Sequence, residues 1–354
     1  MADTIKIMQM NSMSIWRGGE ESVFLLCREL MALGVSVVLA CRDESPTDQR
    51  ARDANIPVVN LPLRNAIDIK SAWTLANYCR ENAIGIIHAH NGRDYWLACL
   101  AKTFNPQLKV VITRRILAPL KNTRLHRWLY KKVDQVIAVS QAVKNAITVF
   151  PSEKITVVYN GIDIQEYSAA SPGALRKELG LAAGTKIVGM VGQIHPSKGH
   201  WTLLRSIPAI LSANPDTVFV VVGGGDSSEL QEMNGDVHFL GARSNIPEIM
   251  KDLDVFVMAS LNEPFGRVTV EAMAAGAPVV GSNSGGTAEI IADGETGLLF
   301  PPEDPAMLAQ AVIKVLTDDQ LAAKLKAGGI HTANRFTGKN MATNYKNIYH
   351  GIME

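Results

Sequence analysis

Residues 262–280, NEPFGRVTVEAMAAGAPVV, combine a loop, a helix and a strand in succession. Pro264 disfavours helical backbone at the residue before it, so Glu263 is expected in a loop. From about Gly266 the residues are mostly small and apolar, which predicts a buried helix, and Gly276 is suited to end it. The run APVV that follows is typical of a buried strand. Repeats of such a unit build parallel α/β folds.

The same alternation of short apolar runs and amphipathic stretches extends along the whole chain. Residues 20–34 present apolar side chains on one helical face, which predicts a helix. Residues 163–184 are polar and rich in Ala, Ser, Pro and Gly, without a strand pattern. The sequence therefore predicts two doubly wound α/β domains joined near residues 160–184. The predicted strands are 5–10, 35–40, 85–90, 109–114, 135–140 and 155–160 in the first half, and 186–192, 218–225, 237–241, 255–260, 278–283 and 297–300 in the second.

The composition limits the class of protein. The chain has 354 residues, 47% of them hydrophobic and 19% charged, and a formal net charge of +1. These values predict a globular protein of two domains without an overall preference for polyanions. The sequence begins without a secretory signal pattern and contains no apolar run long enough to cross a membrane, so a soluble, unexported protein is expected. The four cysteines form no CxxC pair and are expected to be reduced and buried; they are Cys27, Cys41, Cys79 and Cys99.

Three loops in the second half follow predicted strands and lead into predicted helices. Lys198 lies in the first, GQIHPSKGH, and Glu263 lies in the second, NEPFG. The third, SGGT, contributes Gly285, Gly286 and Thr287 to the helix start. Ligands of parallel sheets bind beyond the carboxyl ends of the strands, where glycine amides and helix N-termini attract anions. These loops together predict a diphosphate site, whereas any one of them alone would indicate an ordinary turn.

The familiar nucleotide-binding fingerprints are absent from the sequence. GGGDSSE at 223–229 lacks the third glycine of GxGxxG, and no GxxxxGK[ST] occurs. An NAD enzyme or a P-loop NTPase is therefore disfavoured.

Glu263 and Glu271 are eight positions apart, and both are expected near the carboxyl ends of the strands. Burying a carboxylate is costly unless polar partners compensate. The vicinal hydroxyl groups of a ribose or a hexose are suitable partners, because each can donate a charge-assisted hydrogen bond. The alternatives are a cap or turn residue for Glu263 and a solvent-facing helix residue for Glu271.

The run EPFGRVTVE resembles the E-x7-E signature of retaining GT-B glycosyltransferases, in particular those of family 4. The resemblance includes WRGGEE, IIHAHN, VIAVS and VVYNGID in the first half and GQIHPSKG, VHFLG, DVFVMAS, GGTAEII and DGETGLLF in the second, so it covers nearly the whole chain. It implies an α/β fold of the GT-B class, with two Rossmann-like, doubly wound domains and a deep interdomain cleft. Residues 1–162, completed by a C-terminal helix at about 336–354, would bind the acceptor, and residues 163–335 would bind the nucleotide-sugar donor.

The resemblance also implies roles for residues of the second half. Glu263 would bind hydroxyl groups of the donor sugar, and Glu271 would hold the ribose. Phe265 and Gly266 would offer backbone amides to the sugar. Lys198 would bind the diphosphate.

In the first half, His90 matches the histidine that approaches the donor sugar, and Gly18 and Gly19 match the glycine loop that faces the diphosphate. One position departs from the family pattern, because Gln193 stands where arginine is common and the phosphates lose a positive charge there. Arg267, at the start of the helix, is the candidate to compensate. The residues expected to take part in catalysis are Glu263, His90 and Lys198.

Three other signals are interpreted as structural. The DLD run at 252–254 is a DxD, the metal motif of the other large glycosyltransferase fold, but it precedes a strand and lies at the wrong edge of the sheet for a ligand. His88 and His90 could bind a metal, but no third ligand is close in sequence, so His88 is expected in the core. His195 is interpreted as a loop residue.

Residues 109–132 contain eight basic residues and no acidic one, with Trp128 and Tyr130 among them. Arg114 and Arg115 end a predicted strand at the ligand edge, so they are the predicted acceptor contacts. The functional interpretation is an acceptor that carries phosphate, or an anionic membrane surface; the alternative is a solvated basic face. No nucleic-acid-binding motif accompanies the charge, so nucleic acid is not an expected partner.

The sequence therefore predicts transfer of a sugar from a nucleotide-diphospho-sugar to a hydroxyl acceptor, phosphorylated or lipid-linked, with retention and without a metal or a further cofactor. Base contacts are expected near residues 241–243, including Arg243, and the base and sugar are left open. We expect a cytoplasmic enzyme, peripheral at the inner face of the membrane, that serves surface polysaccharide, lipopolysaccharide or glycolipid assembly. Two alternatives stay open: a nucleotide-sugar epimerase or hydrolase of the same fold, and a non-catalytic sugar-nucleotide sensor.

Overall fold

The computed structural model describes residues 5–63, 67–233 and 237–354. The chain folds into two units, one formed by Met1–Gly161 with Gly338–Glu354 and the other by Ile162–Thr337. Each unit contains a parallel sheet with helices between its strands, which confirms the predicted fold class of two Rossmann-like domains. The predicted boundaries at 162/163 and 335/336 lie within two residues of the crossings between the units.

In the first unit, the described residues form a sheet of seven parallel strands in the order β3-β2-β1-β4-β5-β6-β7. The predictions missed β3, because its three half-buried residues are too few to show a periodic pattern. The strands are β1 (Lys6–Asn11), β2 (Ser36–Cys41), β3 (Val58–Asn60), β4 (Ile86–Ala89), β5 (Lys109–Arg114), β6 (Gln135–Ala138) and β7 (Ile155–Val157). The helices between them are α1 (Gly18–Ala32), α2 (Pro46–Asp53), α3 (Ile69–Glu81), α4 (Gly92–Phe104), α5 (Arg124–Tyr130) and α6 (Gln141–Ala146).

In the second unit, the described residues form a sheet of six parallel strands in the order β10-β9-β8-β11-β12-β13. The segment 163–184, which has no strand pattern, contains two short helices, α7 (Ile164–Ser168) and α8 (Ala174–Glu178). The strands are β8 (Lys186–Val191), β9 (Thr217–Val222), β10 (Val237–Gly241), β11 (Val255–Met258), β12 (Val279–Ser282) and β13 (Leu298–Phe300). The other helices are α9 (His200–Ala213), α10 (Ser228–Met233), α11 (Ile246–Lys251), α12 (Arg267–Ala275), α13 (Thr287–Ile290), α14 (Pro305–Thr317) and α15 (Asp319–Ala333).

The last helix, α16 (Gly338–Gly351), belongs to the first unit and packs on α1. Gly338 allows a close approach, because a Cβ atom there would lie 3.0 Å from side-chain atoms of Glu29 and Leu25. Tyr345 and Tyr349 of α16 are fully buried and join the same hydrophobic core as the apolar face of α1. A segment distant in sequence thus supplies part of this core.

The strand order places a crevice at the carboxyl edge of each sheet. In the first unit β1 lies between β2 and β4, and in the second unit β8 lies between β9 and β11. In the first sheet the chain runs from β1 to β2 on one side and from β4 to β5 on the other, and in the second sheet β8 and β11 diverge in the same way. Where neighbouring connections diverge like this, a crevice opens in which ligands of such sheets bind. In the described part of the chain, no helix combines the length and apolar character needed to cross a membrane.

Candidate active site

The three predicted loops of the second unit lie against one another. The Leu261 amide, in the loop after β11, donates a hydrogen bond of 2.9 Å to the Ser197 carbonyl in the loop after β8. The Gly286 amide, in the loop after β12, donates one of 2.7 Å to the Glu263 carbonyl. Backbone contacts therefore join the loops into one surface at the carboxyl edge of the sheet.

Glycines make these contacts possible because the loops approach backbone to backbone. A Cβ atom on Gly199 would lie 2.0 Å from the Ala259 carbonyl oxygen, and one on Gly286 would lie 2.5 Å from Phe265 Cα. Gly199 also has a φ of +76°, in the left-handed region that favours glycine. The glycines predicted to expose amides to an anion thus also hold the loops together.

Lys198 and Glu263 form an ion pair between two of these loops. Lys198 Nζ lies 2.7 Å from Glu263 Oε2, and the side chains are 31% and 13% exposed. A cation and a carboxylate held side by side suit a ligand that carries an anionic group next to hydroxyl groups. The structure therefore brings two of the three predicted catalytic residues into direct contact.

Glu271 is buried on α12 and pairs with Arg267 one helical turn before it. Arg267 Nε and Nη2 lie 3.0 and 2.9 Å from Glu271 Oε1, and the two side chains are 11% and 6% exposed. The alternative of a solvent-facing Glu271 is therefore wrong. The structure also gives the Arg267 guanidinium a carboxylate partner, whereas we expected it to compensate for Gln193 at the phosphates.

We expect Arg267→Ala to lower the free energy of unfolding by about 3 kcal/mol, because it leaves the buried Glu271 carboxylate without its cation. Urea denaturation measures the change. Arg243→Ala is the matched control, since Arg243 forms an exposed ion pair with Glu178 and should cost less than about 1 kcal/mol. Equal losses of unfolding free energy in the two variants would show that the buried Arg267–Glu271 pair contributes no more to stability than an exposed pair.

Three other donor-site candidates of the second unit differ in their exposure and partners. Gln193 is exposed, in the loop after β8. Arg243 donates to the Leu240 carbonyl and pairs with Glu178, so its guanidinium already has partners where we expected base contacts. Thr287 lies at the start of α13, buried, and its hydroxyl has no hydrogen-bond partner among the described residues.

Sequence reasoning missed Thr269, a second buried hydroxyl beside Thr287. A Cβ atom on Gly266 would lie 3.2 Å from Thr269 Oγ1 and 3.5 Å from Thr287 Oγ1, and the Thr269 hydroxyl also has no partner among the described residues. Gly266 itself has a φ of +97° and is the N-cap residue of α12. The only signal for Thr269 was its place in the first turn of the helix after Gly266.

The carboxylates of the DLD run have structural partners, as predicted. Asp252 is buried and accepts hydrogen bonds from the amides of Leu175 and Arg176 at the start of α8. Asp254 accepts one from the Ile187 amide and pairs with Arg176 at 2.8 Å. Across the described ranges no three His, Cys, Asp or Glu side chains are grouped so as to hold a metal ion.

In the first unit, His90 follows β4 and is 4% exposed. Its Nε2 lies 2.7 Å from Gln9 Oε1, and its Nδ1 lies 3.4 Å from Arg115 Nη2. Burial holds the pKa of His90 well below its usual value, and His88 and the Arg115 cation lower it further. His90 is therefore a neutral hydrogen-bonding group near pH 7 and does not carry a positive charge.

His88 is a packed core histidine, as predicted. It is 0% exposed, and its ring nitrogens lie 2.6 Å from the Tyr349 hydroxyl and 2.7 Å from the Thr113 hydroxyl. Burial, reinforced by the Arg115 charge, lowers its pKa well below the usual value.

The two predicted acceptor arginines differ in their surroundings. Arg114 is 6% exposed, and its guanidinium donates to the Ala118 carbonyl in the following loop, so it is a poor candidate for contact with an acceptor. Arg115 is only half-buried and lies beside His90, with a hydrogen bond to Asn160. Of the two predicted acceptor contacts only Arg115 therefore stays a candidate, because the Arg114 side chain at the end of β5 is buried.

The glycine pair after β1 lies at the start of α1. Gly18 is exposed and Gly19 half-buried, and a Cβ atom on Gly19 would meet no atom within 4 Å. Glu20, which is buried, accepts a hydrogen bond of 3.1 Å from the Arg17 amide and so closes the N-terminus of the helix. The packing within this unit therefore does not explain a glycine at position 19.

The basic segment presents its charges on an exposed surface around α5. Arg124 and Arg127 are exposed, as are the apolar side chains of Leu125 and Trp128, which are 51% and 45% exposed. The Lys132 ammonium lies 4.9 Å from the centre of the Trp128 ring. This surface, which we call the α5 face, combines cationic and apolar side chains.

Two family descriptions match the chain, one on each unit. Residues 16–166 match Glycosyltransferase Family 4, and residues 173–332 match Glycosyl transferases group 1. The two matches together cover most of the sequence.

Two relatives show how far the similarity extends. The chain is 30% identical over 311 residues to the putative glycosyltransferase YtcC of Bacillus subtilis, across 79% of the chain and 75% of YtcC. It is 30% identical over 215 residues to the D-inositol 3-phosphate glycosyltransferase of Corynebacterium glutamicum, across 56% of the chain. The chain spans about half the length of this second relative, 51%.

Solved structures also match the fold. The crystal structure of Anabaena Alr3699/HepE in complex with UDP-glucose has a TM-score of 0.83 to this chain. The match covers 98% of this chain and 100% of that one, at 24% sequence identity. At this identity the likeness shows a shared fold.

Proposed function

Because the chain belongs to the glycosyltransferases of family 4 and group 1, we propose that it moves a sugar from a nucleotide-diphospho-sugar to a hydroxyl acceptor, with retention and without a metal ion. The observation that carries the proposal is the Lys198–Glu263 ion pair, held at the carboxyl edge of the second sheet by three interlocked loops. A cation for a diphosphate and a carboxylate for sugar hydroxyls are adjacent there. The second unit is the proposed donor-binding unit, and the first the acceptor-binding unit.

The donor is proposed to lie across the interlocked loops. Lys198 and the amides at the start of α9 would attract the diphosphate, since the N-terminus of a helix carries a partial positive charge. Glu263 would accept hydrogen bonds from sugar hydroxyls. The Arg267 Nε and Nη2 contacts to Glu271 both fall on Oε1, so Oε2 of that carboxylate is the atom proposed to accept a ribose hydroxyl.

The chemical step is proposed to depend on stabilising the leaving diphosphate. As the bond from the anomeric carbon to the diphosphate breaks, negative charge grows on the phosphate oxygens, and the Lys198 ammonium and the loop amides favour that charge. Glu263 is already held by Lys198 at 2.7 Å, which suits a binding group better than a covalent nucleophile. We therefore propose attack of the acceptor on the face from which the diphosphate leaves.

Thermal-shift measurements with UDP-, GDP- and ADP-sugars test the donor class. HepE was crystallised with UDP-glucose, so UDP-sugars come first. We expect at least one of the three to raise the melting temperature by several degrees, since ligand at about 100 times its Kd adds about 2.7 kcal/mol. The absence of a shift with every nucleotide sugar would overturn the proposal.

Incubation with the stabilising donor alone separates the two alternatives from a transferase. A transferase should leave most of the donor intact until an alcohol acceptor is supplied, and the product should keep the donor's anomeric configuration. A hydrolase or epimerase would convert the donor without acceptor. A sensor would bind the donor and convert nothing.

The α5 face supports an anionic acceptor environment. Its exposed Arg124 and Arg127 would attract phosphate, and Trp128 is suited to the headgroup region of a bilayer. We propose a phosphorylated or lipid-linked acceptor met at the cytoplasmic membrane surface, as in the assembly of surface polysaccharide, lipopolysaccharide or glycolipid.

Arg124→Glu combined with Arg127→Glu should reduce binding to phosphatidylglycerol vesicles by roughly tenfold or more, because each basic residue near such a surface contributes about 1 kcal/mol. Vesicle flotation measures the change. Arg205→Glu, on the exposed side of α9 in the second unit, should leave vesicle binding unaltered. Equal binding by the wild type to neutral and anionic vesicles would exclude an electrostatic membrane contact.

A further inference from the structure

A series of hydrogen bonds between buried polar side chains, which we call the His90 network, extends from His90 into the core of the first unit. Arg115 Nη2 lies 3.4 Å from His90 Nδ1, and His90 Nε2 lies 2.7 Å from Gln9 Oε1. Gln9 Nε2 lies 3.0 Å from the Tyr349 hydroxyl, which lies 2.6 Å from His88 Nδ1. Apart from Arg115, each of these residues is at most 4% exposed. Water therefore does not compete for the bonds among Gln9, Tyr349 and the two histidines.

The His90 network continues from His88 to the second tyrosine of α16. His88 Nε2 lies 2.7 Å from Thr113 Oγ1, which lies 3.1 Å from the Tyr345 hydroxyl. Thr113 and Tyr345 are both 0% exposed. The hydrogen bonds thus link β1, β4, β5 and α16.

The Arg115 guanidinium, at one end of the His90 network, decides which group donates in each bond. A guanidinium group can only donate, so His90 Nδ1 accepts from Arg115 and the ring proton lies on Nε2. That proton is donated to Gln9 Oε1, and the Gln9 amide NH2 then donates to the Tyr349 hydroxyl. Tyr349 donates in turn to His88 Nδ1.

The opposite arrangement, with every donor and acceptor exchanged, is incompatible with Arg115. Reversing every bond would place a proton on His90 Nδ1, where it would face an N–H group of the guanidinium. Burial and the Arg115 charge hold the pKa of both histidines well below the usual value, so neither ring carries two protons near pH 7. One arrangement of protons therefore satisfies every hydrogen bond of the His90 network.

We propose that Gln9, Tyr349 and His88 are positioning residues that hold His90 in the tautomer with its proton on Nε2, so that Nδ1 accepts a hydrogen bond from a substrate hydroxyl. This inference rests on the proposed transferase function. His90 follows β4 at the carboxyl edge of the sheet, where ligands bind. The 3.4 Å contact with Arg115 is at the long end of the hydrogen-bond range, so a ligand hydroxyl can replace it.

The tautomer decides which ligands His90 tolerates. With Nδ1 unprotonated, a sugar or acceptor hydroxyl can donate to it. With Nδ1 protonated, the ring would offer a second donor beside the Arg115 guanidinium, and the hydroxyl hydrogen would lose its acceptor. A hydroxyl bound in the wrong orientation would then lower turnover rather than donor binding.

Nuclear magnetic resonance of the full chain labelled with 15N-histidine tests the assignment without a substrate, because ring nitrogens with and without a proton have different shifts. In the wild type, both His88 and His90 should show protonated Nε2 and unprotonated Nδ1. The spectra of His88→Asn and His90→Asn identify the signals.

Tyr349→Phe and Gln9→Met should disturb His90 in different ways. Tyr349→Phe removes the partner of the Gln9 amide NH2, which can then flip, and it leaves only the long 3.4 Å contact with Arg115 to favour one tautomer of His90. The signals of both His90 and His88 should therefore move towards a mixture of tautomers. Gln9→Met removes the acceptor of the Nε2 proton and leaves only the long contact with Arg115, so the His90 signals should move. The His88 signals should stay, since the contact between Tyr349 and His88 persists. Tyr345→Phe, on the same helix and equally buried, is the matched control and should leave the His90 signals in place.

Kinetics separate positioning from structure. Both variants should lower kcat by roughly tenfold, the lower end of the effect known for residues that orient metal-bound histidines, with the donor KM within about twofold of the wild type. Unmoved His90 signals in folded Tyr349→Phe and Gln9→Met overturn the inference, and so does a tautomer change without loss of kcat. If Tyr349→Phe does not fold, Gln9→Met decides. A wild type that turns over no donor would refute the proposed function, while the spectra would still decide the tautomer.

Discussion

Glu263→Gln should lower kcat/KM for the donor by about a hundredfold or more while leaving the fold intact. Glutamine has nearly the same shape but no charge, so hydrogen bonds from sugar hydroxyls to this position weaken. Lys198, whose Nζ lies 2.7 Å from Glu263 Oε2, loses its ion-pair partner at the same time. Loss of one well-placed electrostatic contact in a transition state typically costs about 100- to 1000-fold. Steady-state kinetics with the donor identified by thermal shift measure the effect.

The control for Glu263→Gln is Glu295→Gln, an identical change at an exposed position of the same unit. It should leave both kcat/KM and the melting temperature unchanged. If Glu263→Gln keeps near-wild-type activity, the carboxylate does not hold the donor sugar, and the proposed arrangement of the site is wrong.

Gly286→Ala should abolish measurable donor binding and lower the melting temperature by several degrees. The φ of Gly286 is −67°, so alanine causes no backbone strain by itself. Its Cβ atom, however, would lie 2.5 Å from Phe265 Cα and 2.6 Å from the Phe265 carbonyl oxygen, and backbone atoms cannot rotate away. The loops after β11 and β12 must therefore separate. Overpacking of this kind typically costs about 1–3 kcal/mol, in addition to the lost site geometry.

Gly184→Ala is the matched control for Gly286→Ala, because a Cβ atom at Gly184 meets no atom within 4 Å. It should leave donor binding and melting temperature close to those of the wild type. Calorimetric titration of the donor and thermal melts of both variants measure the two effects. Donor affinity retained in Gly286→Ala would show that the close approach of these loops is not required for the site.

Much of the fold could be predicted because buried parallel strands are short apolar runs separated by helices. The segment 262–280 is an example, since Gly266 and Gly276 border α12 as the sequence predicts, both with positive φ. Strand β3 escaped prediction because its three residues are half-buried. The short helices α7 and α8 escaped because their stability depends on tertiary partners such as Asp252, which caps α8 from a position 77 residues away from Leu175.

The candidate site could be predicted as a set of residues but not as a set of partners. Residue type and position pointed to Lys198, Glu263 and Glu271. The choice of Arg267 as partner of Glu271 depends on rotamers and burial along α12, and a spacing of four residues on a helix permits but does not require such a pair. The same is true of Arg114, which the loop after β5 turns inward.

The position of α16 has a consequence for how the protein is made. The ribosome delivers the first unit's sheet early, but Tyr345 and Tyr349, which complete its core, emerge only after the whole second unit has been synthesised. Until then the apolar face of α1 lacks the contacts that α16 supplies. Domains commonly fold in order of synthesis, and exposed apolar surface invites aggregation in the meantime. Here the second unit can finish folding before the first, so the nascent chain exposes the part of α1 that α16 later covers while the second unit is being synthesised.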